Sequence, residues 1–411
     1  MTLPKLTETK KVNLDFNKEF INTFTQNIES RNVEFINQTL KNLHEADVAN
    51  LIENLNHDTR TKLIEIESFN IEPEIFIELN ESVQSEVLQL LSIESLAKII
   101  KRLESDNAIK ILENVSKDIK EKVLEKLPPK DKFLLQEGLS YPEDSAARIM
   151  QREFTAVPSE WTVGQTIDYL REEKDLPEEF LEIFIVDNDF KPIGTVPSSR
   201  VLRTSRDLKM NSIMLAMPVL ISVNMDKEEV GLTFENYNLV SAGVVNKENK
   251  LVGMITADDV VTVVQEEAEE DALRLAGVGD EEITDSVMLK TKRRFNWLLL
   301  NLFTALLATW VISNFGASIE QMVALAFLMP IVASMGGNAG MQTLAVTIRA
   351  IATKELSKSN FNRVVGKEFL IGILNGIIFA IITAVIVQLW FKEIYLSLLI
   401  GISMTLNMIV A

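Results

Sequence analysis

The chain has 411 residues, with 41 basic and 59 acidic side chains, two histidines and no cysteine. The lack of cysteine excludes disulfides and thiolate metal sites, and His44 and His57 lie far from the apolar segments. A metal handled by this chain is therefore expected to be a hard cation bound by oxygen ligands, Mg²⁺ or Ca²⁺ in the first instance.

Charge is distributed unevenly along the chain. Residues 290–411 hold ten basic and four acidic side chains, so the first 289 residues hold 31 basic and 55 acidic ones. This division predicts an acidic, water-soluble N-terminal part and an apolar C-terminal membrane domain.

The first predicted domain, residues 1–139, contains a repeat with a period of 12. Each unit is too short to bury its own apolar face, so the pattern predicts an α-solenoid of short stacked helices. Pro128 and Pro129 end the array. The anchors in phase are Leu43, Leu55, Leu79, Leu91, Leu103, Val115 and Leu127.

The second predicted domain, residues 140–265, contains a duplication. Residues 185–196 recur 59 positions later as residues 244–255, and both copies have the pattern strand, polar turn, strand. This pattern predicts a duplicated small α/β unit. The acidic segment that follows, residues 266–291, is predicted to be a charged amphipathic connector to the membrane.

Residues 292–411 are predicted to form an all-α membrane domain with four spans, at 295–315, 322–351, 369–390 and 394–411. The chain ends inside an apolar run, so at least one further span is expected. Basic side chains flank the spans on one side, which places the N-terminal 289 residues in the cytosol. They are Lys290, Lys292, Arg293, Arg294, Arg349, Lys354, Lys358, Arg363 and Lys367.

The second span contains a polar, glycine-rich segment that predicts an interruption of regular backbone at membrane depth. Such an interruption is tolerated only where it packs on protein or lines a water-filled path. Helix packing through Gly336 and Gly340 is the alternative, and packing is expected for the second pair, Gly372 and Gly376. The polar amides favour an ion pathway formed by Pro330, Gly336, Gly337, Asn338, Gly340 and Gln342.

These features together resemble the MgtE family of magnesium channels. The repeat resembles the family's N domain, the duplication resembles a pair of cystathionine-β-synthase (CBS) domains, and the segment from Pro330 to Gln342 resembles the family's membrane signature. The join Tyr141-Pro-Glu-Asp-Ser-Ala-Ala-Arg-Ile-Met150 is also similar, with Ala147 where a glycine is usual. The resemblance implies that residues 266–291 form a connecting (plug) helix and that the protein is a homodimer through its CBS and membrane domains.

The resemblance also implies that cytosolic Mg²⁺ is sensed by acids on facing domains, which repel one another unless a cation lies between them. Three positions depart from the family pattern, because Lys110, Asn238 and Thr262 stand where acids are expected. The implied metal residues are Asp106, Asp226, Glu228, Asp259, Glu267, Glu270 and Asp271.

A nucleotide site is the second implication of the CBS resemblance. The second unit retains Thr256 and Asp259, the residue types that hold ribose and phosphates. The first unit has Arg200 where an aspartate is expected, and Leu239 stands where an aromatic residue would stack on adenine. ATP binding is therefore left open.

The sequence thus predicts a Mg²⁺ channel of the cell (inner) membrane, gated by cytosolic Mg²⁺ and embedded in the lipid bilayer. The alternative is a membrane-anchored CBS module that senses nucleotides and has no ion flux of its own. An enzyme is not expected, because no nucleophile–base set and no GxxxxGK phosphate loop is present. No nucleic-acid partner is expected.

Overall fold

The computed structural model of the chain describes residues 16–67, 72–174, 176–177, 180–216, 219–278, 287–356 and 358–411. The chain divides into two compact units, the first reaching Glu267 and the second beginning at Ala268. Each unit has its own core.

The first unit begins with short helices that share one apolar core, so the predicted α-solenoid is confirmed. They are α1 (Lys18–Glu29), α2 (Val33–Lys41), α3 (Glu45–Glu53), α4 (His57–Glu67), α5 (Ile75–Glu78), α6 (Glu81–Leu90), α7 (Ile93–Arg102), α8 (Ser105–Glu113), α9 (Lys117–Lys126) and α10 (Pro129–Ser140).

The anchors of the 12-residue period lie where helices end. Leu79, Leu91, Leu103 and Leu127 are extended residues directly after α5, α6, α7 and α9, and their side chains pack into the shared core. A polar residue then restarts the chain as a helix, for example Asn80, whose Oδ1 accepts from the Val83 amide at 2.9 Å. The period therefore reflects one buried leucine for each helix–turn unit.

The rest of the first unit is a duplicated α/β structure, as predicted. A short 3₁₀ turn at Ala146–Arg148 precedes it. Its elements are β1 (Ala156–Pro158), α11 (Val163–Glu172), β2 (Glu182–Val186), β3 (Pro192–Pro197), α12 (Ser198–Arg203), α13 (Met210–Ile213), β4 (Leu215–Ala216), β5 (Ile221–Ser222), α14 (Lys227–Tyr237), β6 (Ser241–Val245), β7 (Leu251–Thr256) and α15 (Ala257–Leu275).

The two sheets repeat each other in register. The first has the order β1-β2-β3-β4 and the second β5-β6-β7, each with one parallel and then antiparallel pairing. Glu182 pairs with Pro197 in the first hairpin, and Ser241 pairs with Thr256 in the second. The turn residues Phe190 and Asn249 both have positive φ, 64° and 58°. All these positions are 59 residues apart, which confirms the predicted duplication.

Helix α15 continues without interruption from the last strand into the predicted connector. The boundary predicted at residues 265 and 266 therefore falls inside a helix. The helix ends before Gly277, whose φ of 68° belongs to the left-handed region that favours glycine. Residues 279–286 of the predicted connector lie outside the described residues.

The second unit contains α16 (Val287–Ser313), α17 (Gly316–Gln321), α18 (Ala324–Ala352), α19 (Phe361–Phe391) and α20 (Ile394–Val410). Among the described residues, α16, α18 and α19 are long and apolar enough to cross a membrane. The fourth predicted span is the shorter apolar helix α20, which packs on α18 and α19 around Leu328, Val387, Leu396 and Ile400.

The predicted interruption of the second span is wrong. Helix α18 runs continuously through Pro330 and the glycines up to Gln342. A continuous helix satisfies its own backbone hydrogen bonds, and that is the least costly backbone in a surrounding without water. The carbonyl groups near Gly336 are therefore part of the helix and are not freed for an ion.

Candidate functional site

Asp106 is a buried acid at the start of α8. Its residue is 7% exposed, and its Oδ1 has no hydrogen-bond partner within the described residues. The first turn of a helix favours negative charge, which explains why a carboxylate is tolerated there. Glu153 caps the same helix, because its Oε2 accepts from the amide of Ser105 at 3.2 Å and from its hydroxyl at 2.9 Å.

Asp259, in the first turn of α15, faces Asp106 from the other domain. The Asp259 Oδ2 accepts from the Thr256 hydroxyl at 2.6 Å and from the Gln151 side-chain amide at 3.2 Å. The same Gln151 amide donates to Glu104 Oε2 at 3.1 Å. One neutral amide thus stands between two acids, and a third acid, Asp106, interacts with Asp259 directly.

The electrostatics of this acid cluster (Glu104, Asp106 and Asp259) favour protons or cations. Burial, followed by the charge of Asp259, raises the pKa of Asp106 well above its ordinary value. Burial raises the pKa of Asp259 more than the hydrogen bond from Thr256 lowers it. Burial and the charge of Asp259 raise the pKa of Glu104 to about 7. All three shifts have the same main cause, since burial and neighbouring acids disfavour the charged form of each carboxyl group.

The acid cluster fits a hydrated Mg²⁺ better than a cage of protein ligands. No group of three or more acidic or histidine side chains in the described ranges is arranged to hold a metal ion. Mg²⁺ retains several waters and is commonly bound by one or two carboxylates. In this cluster, the Oδ1 of Asp106 is a buried oxygen that lacks a hydrogen-bond partner within the described residues.

The other five predicted metal residues have different surroundings. Asp226 caps α14, because its Oδ1 accepts from the Glu228 amide at 2.9 Å, and Glu228 lies in the same first turn. Glu267 pairs with Lys227, and Glu270 pairs with Arg274 one turn later on α15. Asp271 follows on the same helix. Of the seven predicted metal residues, the structure therefore brings Asp106 and Asp259 together.

The predicted nucleotide residues Thr256 and Asp259 contact each other at the junction of β7 and α15. Because the Asp259 carboxylate also faces Asp106, the same side chain serves both predicted sites. In the first CBS unit, Arg200 Nη1 donates to the Ile213 carbonyl at 2.9 Å.

The six predicted pathway residues divide between two sides of α18. Gly336 is buried and Gly340 half-buried, and both face α20, with Asn407 and Ala411 as their nearest neighbours. The other four predicted residues, Pro330, Gly337, Asn338 and Gln342, are exposed, and no atom lies within 4 Å of where a Gly337 side chain would begin. The packing alternative thus describes Gly336 and Gly340, while the two amides lie on the uncovered side. The Gly372 and Gly376 pair packs on the backbone of α20, as expected.

Asn407 is a contact residue that the sequence reasoning missed. Its Nδ2 donates to the Val332 carbonyl at 2.6 Å, and its amide occupies the space beside Gly336. Its one sequence signal is an isolated amide in an apolar helix, a type of residue that usually hydrogen-bonds to a neighbouring helix. Gln151 and Glu104 were also missed, because their roles depend on contacts between separate domains.

Comparison with family models covers most of the chain in order. Residues 43–144 match the MgtE intracellular N domain, residues 146–207 and 210–266 match the CBS domain, and residues 329–411 match the MgtE family described as a divalent cation transporter.

Curated relatives and solved structures agree with these matches. The chain is 30% identical over 273 residues to the magnesium transporter MgtE of Bacillus subtilis (strain 168), and the match covers 66% of this chain and 60% of the relative. It is 29% identical over 254 residues to that of Thermus thermophilus, covering 61% and 56%. The chain thus spans about 60% of the length of these relatives.

Two solved structures share the fold of the cytosolic part. One is the soluble part of a magnesium transporter, with a TM-score of 0.54 and 21% identity over 61% of this chain and 99% of that one. The other is the cytosolic domain of the Mg²⁺ channel MgtE in complex with ATP, with a TM-score of 0.55 and 23% identity over 59% and 99%.

The solenoid, the CBS pair and the apolar helices follow one another in the order of the matched MgtE N, CBS and MgtE family models. The chain belongs to the MgtE family.

Proposed function

We propose that this protein is a homodimeric Mg²⁺ channel of the cell (inner) membrane, with its acidic N-terminal domains in the cytosol. Mg²⁺ flows passively down its electrochemical gradient, and no covalent chemistry is involved. Cytosolic Mg²⁺ bound between acidic surfaces favours the closed state. The curated relatives are magnesium transporters, which supports this choice of ion.

The observation that carries the gating proposal is the facing pair Asp106 and Asp259. The two carboxyl groups belong to the solenoid and to helix α15. Burial and neighbouring acids raise the pKa values of both groups and of Glu104, so each would gain from a nearby cation. A divalent cation between them stabilises the docked arrangement, and its loss leaves repulsion that weakens the docking. The ion shifts the equilibrium only by its higher affinity for the closed state.

Asp226 and Glu228 lie at the start of α14, and the other predicted metal residues, Glu267, Glu270 and Asp271, lie on α15. Several weak carboxylate sites together would respond to millimolar Mg²⁺, the range a regulatory site requires. ATP binding at Thr256 and Asp259 would compete for the Asp259 carboxylate, so nucleotide and Mg²⁺ are expected to influence each other there.

The ion path is proposed to follow the uncovered side of α18, past Gly337, Asn338 and Gln342. Amide oxygens at this depth can contact the waters that Mg²⁺ retains. Gly336 and Gly340 allow α20 to pack closely against α18. Pro330 lies earlier in the same helix.

Mg²⁺ uptake into liposomes that carry the purified full-length protein tests the proposal. We expect flux above that of empty liposomes, inhibition by Mg²⁺ on the cytosolic side, and loss of this inhibition in Asp106→Asn. Absence of flux would instead favour the membrane-anchored sensing module.

The path itself is tested with Asn338→Leu, which should lower flux and leave dimer formation unchanged. Asn301→Leu is the matched control, because it removes an exposed amide from α16. Equal flux in Asn338→Leu and the parent at matched protein density would remove Asn338 from the path.

A further inference from the structure

Two neighbouring acids of α15 pair with lysines from two different domains. The Lys110 Nζ of α8 lies 2.7 Å from Glu266 Oε1. The Lys227 Nζ of α14 lies 3.2 Å from Glu267 Oε1 and 3.3 Å from Asp144 Oδ1 in the join between the domains. All these residues belong to the first unit. The solenoid and the second CBS unit therefore each hold α15 through an ammonium group.

The two lysines differ in how much water surrounds them. The side chains of Lys110 and Glu266 are 42% and 50% exposed, so their ion pair is weakened by solvent. Those of Lys227 and Glu267 are 22% and 25% exposed. Burial alone would lower the pKa of Lys227, but its contacts with Glu267 and Asp144 outweigh burial and raise it. Lys227 therefore remains charged and is the stronger of the two contacts.

Lys110 also lies one turn after Asp106 on α8, so one helix presents both a candidate Mg²⁺ ligand and an ammonium group to α15. A bound divalent cation and an ammonium group have the same electrostatic effect, since each places positive charge beside the carboxylates of a facing element. They differ in one respect: the ammonium group is covalently attached and is present at every Mg²⁺ concentration.

We infer that Lys110 and Lys227 act as resident cations that hold α15 against the solenoid and the second CBS unit when Mg²⁺ is absent. Their role in gating rests on the proposed function, but the docking itself does not. Two properties follow. Docking of α15 persists in a chelator, and it weakens as monovalent salt screens the exposed Lys110 pair. Mg²⁺ sensing is then concentrated at Asp106 and Asp259, which no lysine neutralises among the described contacts.

Hydrogen exchange of the α15 amides in the full-length protein tests this inference. In EDTA at low salt, Lys110→Gln with Lys227→Gln should exchange these amides roughly tenfold faster than the parent, since two ion pairs of this exposure are lost. Millimolar Mg²⁺ should restore most of the protection. Lys122→Gln is the matched control, because Lys122 pairs with Asp118 within α9 and should change nothing.

Exchanging the charges of Lys110 and Glu266 distinguishes loss of their ion pair from a general folding defect. Lys110→Glu alone should lose protection in EDTA, and adding Glu266→Lys should regain it, because the pair is re-formed with reversed charge. Equal exchange rates in the parent and the double glutamine variant in EDTA would overturn the inference. So would failure of the reversed pair to recover protection.

The outcome is separable from the proposed function. If protection of the α15 amides depends on the lysines while liposomes show no Mg²⁺ flux, the inference about the lysines is supported and the channel proposal is wrong. If Mg²⁺-inhibited flux is present but the exchange rates of the α15 amides in EDTA do not depend on either lysine, the channel proposal is supported and the inference about the lysines is wrong.

Discussion

At the scale of single residues, the buried carboxylate of Asp106 is costly. Burial removes the hydration of its charged form, and the backbone hydrogen bonds at the start of α8 offset this only in part, so that its pKa is raised. Its neighbours add to this cost, because Asp259 and Glu104 carry the same charge. Such a residue weakens the fold unless a ligand compensates it, which is the behaviour expected of a binding residue.

Asp106→Asn should therefore stabilise the protein in EDTA, by about 1–2 kcal/mol, because the amide carries no charge to desolvate or to repel. Millimolar Mg²⁺ should raise the melting temperature of the parent but not that of the variant, since only the parent binds the ion in its folded form. Thermal unfolding with and without Mg²⁺ measures both effects.

Asp118→Asn serves as the control, since Asp118 is an exposed acid of α9. It should shift neither the melting temperature in EDTA nor the response to Mg²⁺. A parent-like Mg²⁺ response in Asp106→Asn would show that the ion binds elsewhere.

Glu86 illustrates the opposite case, an acid that is compensated. Arg60 donates to both of its oxygens, Nε to Oε1 at 3.0 Å and Nη2 to Oε2 at 2.7 Å, and His57 contacts Oε1 at 2.8 Å. Burial alone would raise the pKa of Glu86, but these hydrogen bonds outweigh it and lower the pKa below its ordinary value of 4.5.

A lowered pKa in the folded state means that the contact is fully stabilising above about pH 4.5 and is lost as the pH falls through the folded value. Glu86→Gln should cost about 1–3 kcal/mol at pH 7, because it leaves the buried Arg60 without its counter-charge. The difference from the parent should shrink as the pH falls below about 4.5. Denaturant unfolding across this range tests it.

Glu94→Gln is the comparison for that experiment, because Glu94 pairs with Lys126 at an exposed position. Its cost should be much smaller, because solvent screens an exposed ion pair. A pH-independent difference between Glu86→Gln and the parent would contradict the assignment of the effect to ionisation.

At the scale of elements, the contact between α18 and α20 depends on the missing side chain of Gly336. A β-carbon there would lie 2.2 Å from Asn407 Nδ2, so the Asn407 amide must move and give up its bond to Val332. The neighbouring Gly337 has open space instead.

Gly336→Ala should therefore lower the stability of the membrane helices by about 0.5–1.5 kcal/mol, the range of one hydrogen bond between helices in a membrane. Gly337→Ala should be neutral or slightly stabilising, because alanine favours helix and meets no neighbour. Unfolding in mixed micelles with increasing SDS compares the two. Equal losses would mean that both glycines are packed.

The elements also show what the sequence could predict. The 12-residue period and the 59-residue duplication were readable because each repeated residue plays the same local role, either as a leucine that ends a helix or as a turn residue with positive φ. The continuity of helix α18 could not be predicted from the sequence. Glycine and proline usually interrupt helices in water, but they are tolerated within helices in a membrane. The bridges made by Gln151 and Asn407 depend on chain segments far apart in sequence.

At the scale of the whole molecule, four of the proposed sensing acids lie along α15. Neutralising Asp259, Glu267, Glu270 and Asp271 together should leave a channel that remains active at high cytosolic Mg²⁺, because the ion loses its preference for the closed state. Flux into liposomes at low and at millimolar cytosolic Mg²⁺ measures the loss of inhibition.

The control neutralises four exposed acids of the solenoid, Glu94, Asp118, Glu121 and Glu125, and should retain inhibition. If the connector variant is still inhibited as strongly as the parent, the sensing acids lie outside α15.

Helix α15 is long and continuous enough to transmit motion along its axis. It begins beside Asp259 and is continuous across the point where the first unit ends and the second begins. Its 19 residues extend about 27 Å at a rise of about 1.5 Å per residue. A stiff rod of that length converts a rotation of about 5° at its base into a displacement of about 2 Å at its tip. Under the proposed gating, a small shift at Asp259 would therefore become a larger displacement at the far end of the same helix.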